Sequence, residues 1–403
     1  MTSEIKQRIE QIRRGEVPEG YVKTALGLAP ANWKRYTFGD IYTERKEPGD
    51  ENLPLLMVSI HSGVSDGEVD AAELLKQVKR IEDKSQYKKA VSGDLVFNMM
   101  RAWQGAIGTV RTTGMVSPAY IVAEPNDKAY PLFMDYYSRT PQMINQIDRQ
   151  SYGVTDFRKR LYWDSFAPIS CTLPPIEEQQ KIATILTTQD RVIELKEKRL
   201  AEKQRQKKYL MQQLLTGKKR LPGFIGKWKT FGFNEIFITI STKGHQINKA
   251  EYETKGRYPV IDQGRQMIAG YSNKAEKALM CPKEGVIVFG DHTREIKFVN
   301  FDFIVGADGT QLLSAKSKNA AIKYLFYYLS NKDIHSDGYS RHFKYVKEFT
   351  YRLPPLGEQT AIAEVLSTAD REIELLQQDI EQEKRKKKAL MQLLLTGIVR
   401  VKT

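Results

Sequence analysis

The sequence has 403 residues, which predicts two or three domains, each long enough to bury its own core. Lys and Arg number 63 against 49 Asp and Glu, and a net charge of +14 on a chain with 41% hydrophobic residues predicts folded surfaces that bind a polyanion. Two cysteines exclude a disulfide scaffold and a Cys-rich zinc module, and they favour a reducing compartment such as the cytoplasm.

The first predicted element is a helix over residues 3–14, with Ile5, Ile9 and Ile12 on one face and Gly15 after its end. The residues before it lack the apolar core of a signal peptide, and no run in the sequence approaches 18 apolar residues. Secretion and membrane spanning are therefore not expected. Residues 1–32 form this helix and a lead-in to the next segment, and we expect the helix to pack near the C-terminus of the chain.

Residues 33–172 and 227–352 are predicted to be two mixed domains. Each opens with a similar pattern, in which Trp33 and Phe38 correspond to Trp228 and Phe233, but the regions that follow show little similarity. Short apolar runs flanked by Gly, Asp and Pro predict strands at 53–60, 93–100, 285–290 and 301–307. Amphipathic patterns predict helices at 130–147 and 319–334.

The segments 173–226 and 353–403 repeat one another. LPPIEEQQKIATIL…LLTG recurs as LPPLGEQTAIAEVL…LLTG at an offset of 180 residues, without a gap. A proline at each start and a glycine at each end, Pro175 with Gly217 and Pro355 with Gly397, predict two long helices. Glutamates in the first turns, Glu177, Glu178 and Glu358, are expected to complement the helix dipole.

Both long helices carry an apolar heptad seam, which predicts that they pair as an antiparallel coiled coil. The predicted interface residues are Ile182, Leu186, Ile193, Leu200, Leu214, Ile362, Leu366, Ile373, Leu376, Ile380 and Leu394. The first helix places Gln189, Lys196, Lys203 and Lys207 at its other seam positions. The segment 173–226 has 12 basic and 6 acidic residues against 8 and 8 in 353–403, a difference that favours pairing. The predicted fold class is α+β, pseudo-two-fold and pseudo-circular, with the two long helices separating the mixed domains.

Motifs for catalysis are weak. The sequence contains no phosphate-binding loop, no glycine-rich dinucleotide turn, no zinc-like histidine spacing and no nucleophile elbow. The strongest catalytic candidate is a nuclease-like set formed by Asp291, Glu295 and Lys297. The spacing is poor for that role, and Glu295 with Lys297 looks like a solvated ion pair at one edge of a strand. No catalytic residue, metal site or cofactor is predicted for this chain.

Basic, polar and aromatic residues cluster at corresponding places in the two domains, after a strand and again before a long helix. Such side chains can neutralise phosphates or read base edges in the major groove. The predicted DNA-contacting residues are Asn98, Arg101, Gln104, Tyr152, Arg158, Lys159 and Arg160 in the first domain, and His292, Thr293, Arg294, Lys297, Tyr339, Arg341, His342 and Lys344 in the second.

With its duplicated LPP…EQ…LLTG blocks and a tryptophan opening each variable region, the whole chain resembles the specificity subunit of type I restriction-modification systems. The resemblance implies that each variable region is a target recognition domain for one half of a bipartite, asymmetric sequence in double-stranded DNA. It implies that the helices are a spacer that docks two modification subunits. Those partners would carry adenine N6-methylation with S-adenosylmethionine, and two restriction subunits would supply ATP- and Mg²⁺-dependent cleavage. Some relatives begin almost directly at the first recognition domain, whereas about 30 residues precede Trp33.

Two alternatives from other classes remain open at this point. The first is a coiled-coil adaptor that binds proteins rather than DNA, which would bind without the steep salt dependence of a phosphate-neutralising protein. The second is an autonomous metal-dependent nuclease at Asp291, Glu295 and Lys297, which would cleave DNA with Mg²⁺ alone.

Overall fold

The protein forms two compact units in a computed structural model. The structure describes residues 3–24, 27–50, 52–65, 86–153, 155, 158–306, 309–316, 318–336, 338 and 341–401. Unit 1 comprises residues 1–195 and 380–403, and unit 2 comprises residues 196–379. Each unit therefore contains one variable region and part of each long helix. The sequence instead predicted five segments, with the long-helix segments 173–226 and 353–403 separate from the variable regions, whereas the two units meet within the long helices.

Ten α-helices occur in the described residues. They are α1 (Ser3–Arg13), α2 (Phe38–Ile41), α3 (Pro131–Tyr137), α4 (Pro141–Gln150), α5 (Trp163–Phe166), α6 (Ile176–Leu214), α7 (Phe233–Ile236), α8 (Ile322–Ser330), α9 (Phe343–Glu348) and α10 (Leu356–Leu394). None of these helices has the length and apolar character needed to cross a lipid bilayer.

The centre of unit 1 is a four-stranded antiparallel sheet with the order β4-β11-β8-β9. In the described part of unit 1, three antiparallel pairs accompany it: β1 with β2, β3 with β12 and β7 with β10, and a short hairpin joins β5 and β6. The strands are β1 (Tyr21–Thr24), β2 (Gly27–Pro30), β3 (Lys34–Thr37), β4 (Tyr42–Arg45), β5 (Val58–Ser59), β6 (Gly63–Val64), β7 (Lys88–Ala90), β8 (Leu95–Asn98), β9 (Ile107–Thr109), β10 (Gly114–Val116), β11 (Tyr120–Pro125) and β12 (Ser170–Leu173).

Unit 2 has a sheet of equivalent connectivity, with the order β14-β20-β17-β18. A second sheet has the order β16-β15-β19, and β13 pairs with β21. The strands are β13 (Lys229–Phe231), β14 (Phe237–Ile240), β15 (Tyr258–Ile261), β16 (Gly270–Ser272), β17 (Val286–Gly290), β18 (Ile296–Val299), β19 (Ile304–Val305), β20 (Thr310–Ala315) and β21 (Tyr351–Leu353).

The repeated sequence around each tryptophan closes its domain. In each unit the strand after the tryptophan pairs with the strand before the long helix, β3 with β12 and β13 with β21. The short helix that follows is capped by a carboxylate, because Asp40 accepts the Thr37 backbone N–H and Glu235 accepts that of Gly232. The Thr37 hydrogen bonds lower the pKa of Asp40. The strand pairing and helix cap that close the two domains are therefore the same, although the sequences between them differ.

The end of each long helix packs into the core that contains the start of the other. In unit 1, Leu394 and Leu395 lie in one apolar cluster with Ile182 and Leu186. In unit 2, Leu214 and Leu215 cluster in the same way with residues of α10. Burial of apolar surface stabilises a fold by roughly 25 cal/mol per Å². The burial of these side chains therefore attaches the helix ends to each domain.

The glycines after the helices allow this close approach. Gly217 and Gly397 have φ values of 73° and 70°, in the left-handed region that favours glycine at a helix end. A Cβ atom at Gly217 would lie 3.2 Å from the Trp228 ring, and one at Gly397 would lie 3.0 Å from Trp33. The glycine and the tryptophan of the two sequence repeats are thus contact partners.

Several local predictions differ from the structure in extent. The predicted helix 130–147 is two helices, α3 and α4, because Pro141 begins a new helix after the cap residue Thr140. Within the predicted strand 53–60 the regular strand is limited to β5, and in the described part of 301–307 it is limited to β19. The N-terminal helix lies near the chain end as expected, since Arg8 Nη1 donates to the Ile398 carbonyl at 3.0 Å.

Candidate nucleic-acid interface

In unit 1 the loop after β8 presents the first predicted cluster. The Asn98 side chain is 9% exposed, and its Oδ1 accepts the Met100 backbone N–H at 2.9 Å, which turns the chain after the strand. Arg101 and Gln104 lie on this turn and are exposed. Asn98 therefore shapes the loop. Arg101 and Gln104 lie on its exposed surface, where a nucleic acid can reach them.

The segment before the first long helix joins the same surface. The Leu161 backbone N–H donates to the Met99 carbonyl at 2.9 Å, and Lys159 Nζ lies 5.1 Å from the centroid of the Trp103 ring. Lys159 also pairs with Asp148 at 2.8 Å. The structure therefore brings together the two unit 1 clusters, which are more than 40 residues apart in the sequence.

The exposed part of this segment is aromatic and basic. Tyr152 is 58% exposed, with its ring 5.6 Å from that of Tyr162. Arg158 is exposed, and Arg160 is half-buried with its Nη1 donating to the Lys159 carbonyl at 3.0 Å.

Unit 2 joins its two clusters through one buried carboxylate. Asp291 follows β17 and is 3% exposed. Its Oδ1 accepts the Phe343 backbone N–H and its carbonyl accepts the His342 N–H, both at 2.8 Å. The exposed members are Thr293, Arg294, Arg341 and Lys344. Lys344 Nζ lies 4.7 Å from the Tyr345 ring centroid.

Two predicted contact residues of unit 2 are interior. His342 is 1% exposed, with Nδ1 2.9 Å from the Asp291 carbonyl oxygen. Lys297 is 6% exposed because alternate residues of β18 face inward. It is a buried donor rather than a member of the expected solvated ion pair. These placements favour structural roles for both residues.

His292 and Arg294 of the unit 2 cluster also form contacts with neighbouring segments. His292 is half-buried, and its backbone N–H donates to Gln263 Oε1 at 3.2 Å. Arg294 has a φ of 63°, and its Nη1 donates to the Ile334 carbonyl at 3.0 Å, so its guanidinium also supports the neighbouring segment. Tyr339 lies outside the described residues.

The nuclease alternative gains no support from this geometry. Asp291 accepts hydrogen bonds from the backbone N–H groups of Phe343 and His342, and Lys297 Nζ donates to the carbonyls of Asp262 and Gln266. Among the described residues no group of three or more His, Cys, Asp or Glu side chains is arranged to hold a metal ion.

The seam residues of the two long helices face inward within their units. All eleven predicted interface residues are buried or half-buried. In unit 1, Gln189 Nε2 donates to Glu383 Oε2 at 2.7 Å. In unit 2, lysines of α6 pair with acids of α10: Lys196 with Asp379, Lys203 with Glu372 and Lys207 with Asp370. The polar seam positions of α6 therefore meet carboxylates on an antiparallel neighbour.

The repeated glutamates bind arginines that follow the other long helix. Glu178 is 1% exposed, and its carboxylate accepts Arg400 Nε and Nη2, each at 2.7 Å. Glu358 is 0% exposed and accepts two hydrogen bonds from Arg220 in the same way. These bonds raise the pKa of both guanidinium groups. For Glu178 and Glu358 the structure thus shows buried ion pairs in addition to the dipole role predicted from the sequence.

The repeated glutamines attach each domain to its long helix. Gln179 Oε1 accepts the Tyr130 N–H at 2.9 Å, at the start of α3, and Gln359 Oε1 accepts the Ala321 N–H at 2.9 Å, at the start of α8. Two matching triads reinforce this attachment: Tyr136, Asp190 and Lys387 in unit 1, and Tyr327, Asp370 and Lys207 in unit 2.

Arg220 and Arg400 were not among the residues predicted from the sequence. They lie at the same 180-residue offset as the repeated blocks, three positions after each LLTG ending. Extension of the repeat by three residues would have found them.

Comparisons with known proteins agree on one family. A family model described as "Type I restriction modification DNA specificity domain" matches residues 71–204 and 225–384. A putative type I restriction enzyme MjaX specificity subunit from Methanocaldococcus jannaschii is 25% identical over 433 aligned positions, covering 96% of this chain and 98% of the relative. The EcoR124I/EcoR124II specificity subunit from Escherichia coli is 27% identical over 113 residues, 28% of each chain.

Solved structures share the fold. The crystal structure of the type I restriction-modification S subunit from M. genitalium has a TM-score of 0.62 at 13% identity, covering 92% of this chain and 97% of that one. A chain from a study of complex assembly and conformational transition in a type I R-M system has a TM-score of 0.54 at 19% identity, covering 92% and 99%. These likenesses establish a common α+β architecture with two mixed domains.

Proposed function

Because the chain belongs to the type I restriction-modification DNA specificity family, we propose that it directs a methyltransferase complex to a bipartite, asymmetric DNA sequence. The family is one of specificity subunits, so the chain is a non-catalytic component. In this proposal the variable region 33–172 reads one half-site and the region 227–352 reads the other. The two long helices fix the number of base pairs between them.

One observation carries the proposal. Two sheets of equivalent connectivity each place an exposed polar cluster after the corresponding central strand, β8 or β17, yet the exposed residues differ. Arg101 and Gln104 occupy that place in unit 1, whereas Thr293 and Arg294 occupy it in unit 2. Arg and Gln side chains form bidentate contacts with guanine and adenine respectively. Different exposed side chains on sheets of the same connectivity would recognise different base sequences in the two half-sites.

The partners follow from the same proposal. Two modification subunits dock on the long helices and methylate adenine with S-adenosylmethionine. Two restriction subunits add ATP- and Mg²⁺-dependent cleavage. The complex acts where the chromosome is accessible, in the cytoplasm. The exposed side of the helix pair carries apolar residues such as Leu195 in unit 1 and Leu375 in unit 2, which suit a helical partner.

Methylome sequencing tests the proposed function. In a host that expresses this chain with its modification subunit, we expect one bipartite motif with two unlike halves. A host that carries the modification subunit alone should show no such motif. Methylation that does not depend on the chain, or binding of the complex to DNA without steep loss between 50 and roughly 200 mM salt, would favour the adaptor alternative.

Replacement of Arg101 with Ala should affect one half-site alone. Its guanidinium is exposed on the turn after β8, so its loss should cost about 1–3 kcal/mol at one base position and relax the motif there. Lys34→Ala is the control, because Lys34 is exposed on β3, outside the four-stranded sheet. Binding titrations with duplexes changed at single positions would measure the difference. Uniform weakening across all sequences would identify a phosphate contact instead.

A further inference from the structure

The hairpin between β15 and β16 carries a strongly exposed cation, Arg265, close to the unit 2 cluster. The Arg265 side chain is 93% exposed, and its closest ion-pair contact, with Glu295, is 3.9 Å long. An extended cation at a hairpin tip is free to move unless the tip itself is held in place. The contacts of the tip therefore decide whether Arg265 can contribute to sequence reading.

A buried lysine, Lys297, binds the backbone of this hairpin tip. Lys297 Nζ donates to the carbonyls of Asp262, at 2.8 Å, and Gln266, at 2.5 Å, which lie on either side of Arg265. Within the tip, the Gly264 N–H donates to Asp262 Oδ1 at 2.8 Å. A burial of 94% would be costly for an ammonium group without such acceptors. The position of Lys297 is explained by the two carbonyls that it binds.

The tip is also joined to the loop after β17. Thr293 Oγ1 donates to the Gln263 carbonyl, and the His292 N–H donates to Gln263 Oε1 at 3.2 Å. A Cβ atom at Gly290 would lie 2.9 Å from the Gln263 carbonyl oxygen, so a glycine is needed for this approach. The tip and the predicted DNA-contacting loop thus form one continuous surface in unit 2.

Unit 1 has the same arrangement with different residues. The hairpin between β5 and β6 has its tip at 60–62, and Arg139 Nη2 donates to the His61 carbonyl there. Gly105, after β8, would bring a Cβ atom within 3.5 Å of the Ile60 carbonyl oxygen. In both units a half-buried or buried cation holds the hairpin tip beside the loop after the central strand. The recurrence argues for a shared role.

We propose that Arg265 is a specificity-determining residue of unit 2 that contacts a guanine edge in its half-site, and that Lys297 is the positioning residue that aims it. The inference rests on the proposed function. Guanine presents two acceptors, O6 and N7, that match the two donors of a guanidinium. Base reading also requires a tip fixed to within about 0.5 Å, which the Lys297 contacts provide.

The test compares Arg265→Ala, Lys297→Met and Lys297→Arg in the full chain with its modification subunit, by methylome sequencing and by binding to duplexes substituted at each position. Arg265→Ala should lower discrimination at one G·C pair at least tenfold and leave the other half-site unchanged. Lys297→Met should relax the same pair, and Lys297→Arg should restore part of the discrimination. Lys283→Ala, an exposed lysine before β17, is the matched charge control.

Three outcomes separate the possibilities. A wild-type chain without a bipartite motif would remove the proposed function itself. A normal wild-type motif with unchanged base preference in Arg265→Ala would overturn the inference. Lost discrimination in this variant would not reflect misfolding, because the Arg265 side chain is 93% exposed. Loss at different base pairs in Arg265→Ala and Lys297→Met would remove the positioning role of Lys297.

Discussion

Replacement of Arg400 with Met is expected to destabilise unit 1 by about 2–3 kcal/mol. The variant leaves the Glu178 carboxylate, which is 99% buried, with the Trp33 Nε1 donor, 3.3 Å away, as its one remaining side-chain donor among the described residues. Removal of one partner from a buried ion pair costs about 3–5 kcal/mol, and we reduce that figure because the Arg400 side chain is 34% exposed and water can enter. The effect should be confined to unit 1, where both residues lie.

The measurement must resolve the two units, since unfolding of a two-unit chain need not be two-state. Hydrogen exchange in peptides that cover α3 should accelerate in the variant, while exchange in α8 of unit 2 stays constant. Arg385→Met, an exposed position on α10, provides the control. Addition of Glu178→Gln to Arg400→Met should recover much of the loss, because no buried charge is then left unpaired. Equal loss in the Arg385 control would contradict the prediction.

The long helices were predictable because their signals are local. The structure has helices at Ile176–Leu214 and Leu356–Leu394, within three residues of the bounds expected from Pro175, Gly217 and their counterparts. A helix start depends on proline at the first turn and a helix end on a glycine that can adopt positive φ. Both requirements act over a few residues and are visible in the sequence.

The interior of the variable regions was less predictable. Strand order in the four-stranded sheets joins β4 to β11 and β14 to β20, pairings across 72 to 83 residues that no local pattern encodes. Lys297 was expected at a solvated strand edge in an ion pair with Glu295, but it is buried. Its neighbours Ile296 and Val299 mark a strand, and the period-two alternation places Lys297 on the inner face with Val299.

The clusters themselves were partly predictable. The sequence placed the residues after a strand and before a long helix, and the structure joins those two segments in both units, through Met99 and Leu161 and through Asp291 and Phe343. Which members face solvent depends on tertiary packing, as His342 shows. The hairpin tip with Arg265 lies between β15 and β16, outside both predicted clusters of unit 2. No sequence similarity between the two variable regions points to it.

Insertion of seven residues into both long helices, after Leu195 and after Asp379, is expected to lengthen the spacer of the recognised sequence by about three base pairs. Seven residues add about 10.5 Å of helix, and B-DNA rises about 3.4 Å per base pair. A full heptad also keeps the phase of the apolar seam. Both insertions fall between the ion pair of Lys196 with Asp379 in unit 2 and the Gln189–Glu383 contact in unit 1, so each unit retains its own contacts.

Methylome sequencing of the double-insertion variant should show both original half-sites at the longer spacing and no methylation at the original one. The same heptad inserted after Leu195 alone is the control. It gives α6 an added segment that has no matching addition on α10, so we expect loss of stability and no defined new motif. If the double-insertion variant kept the original spacer, the long helices would not set the distance between half-sites. A changed half-site would instead show that the insertion disturbs the recognition domains.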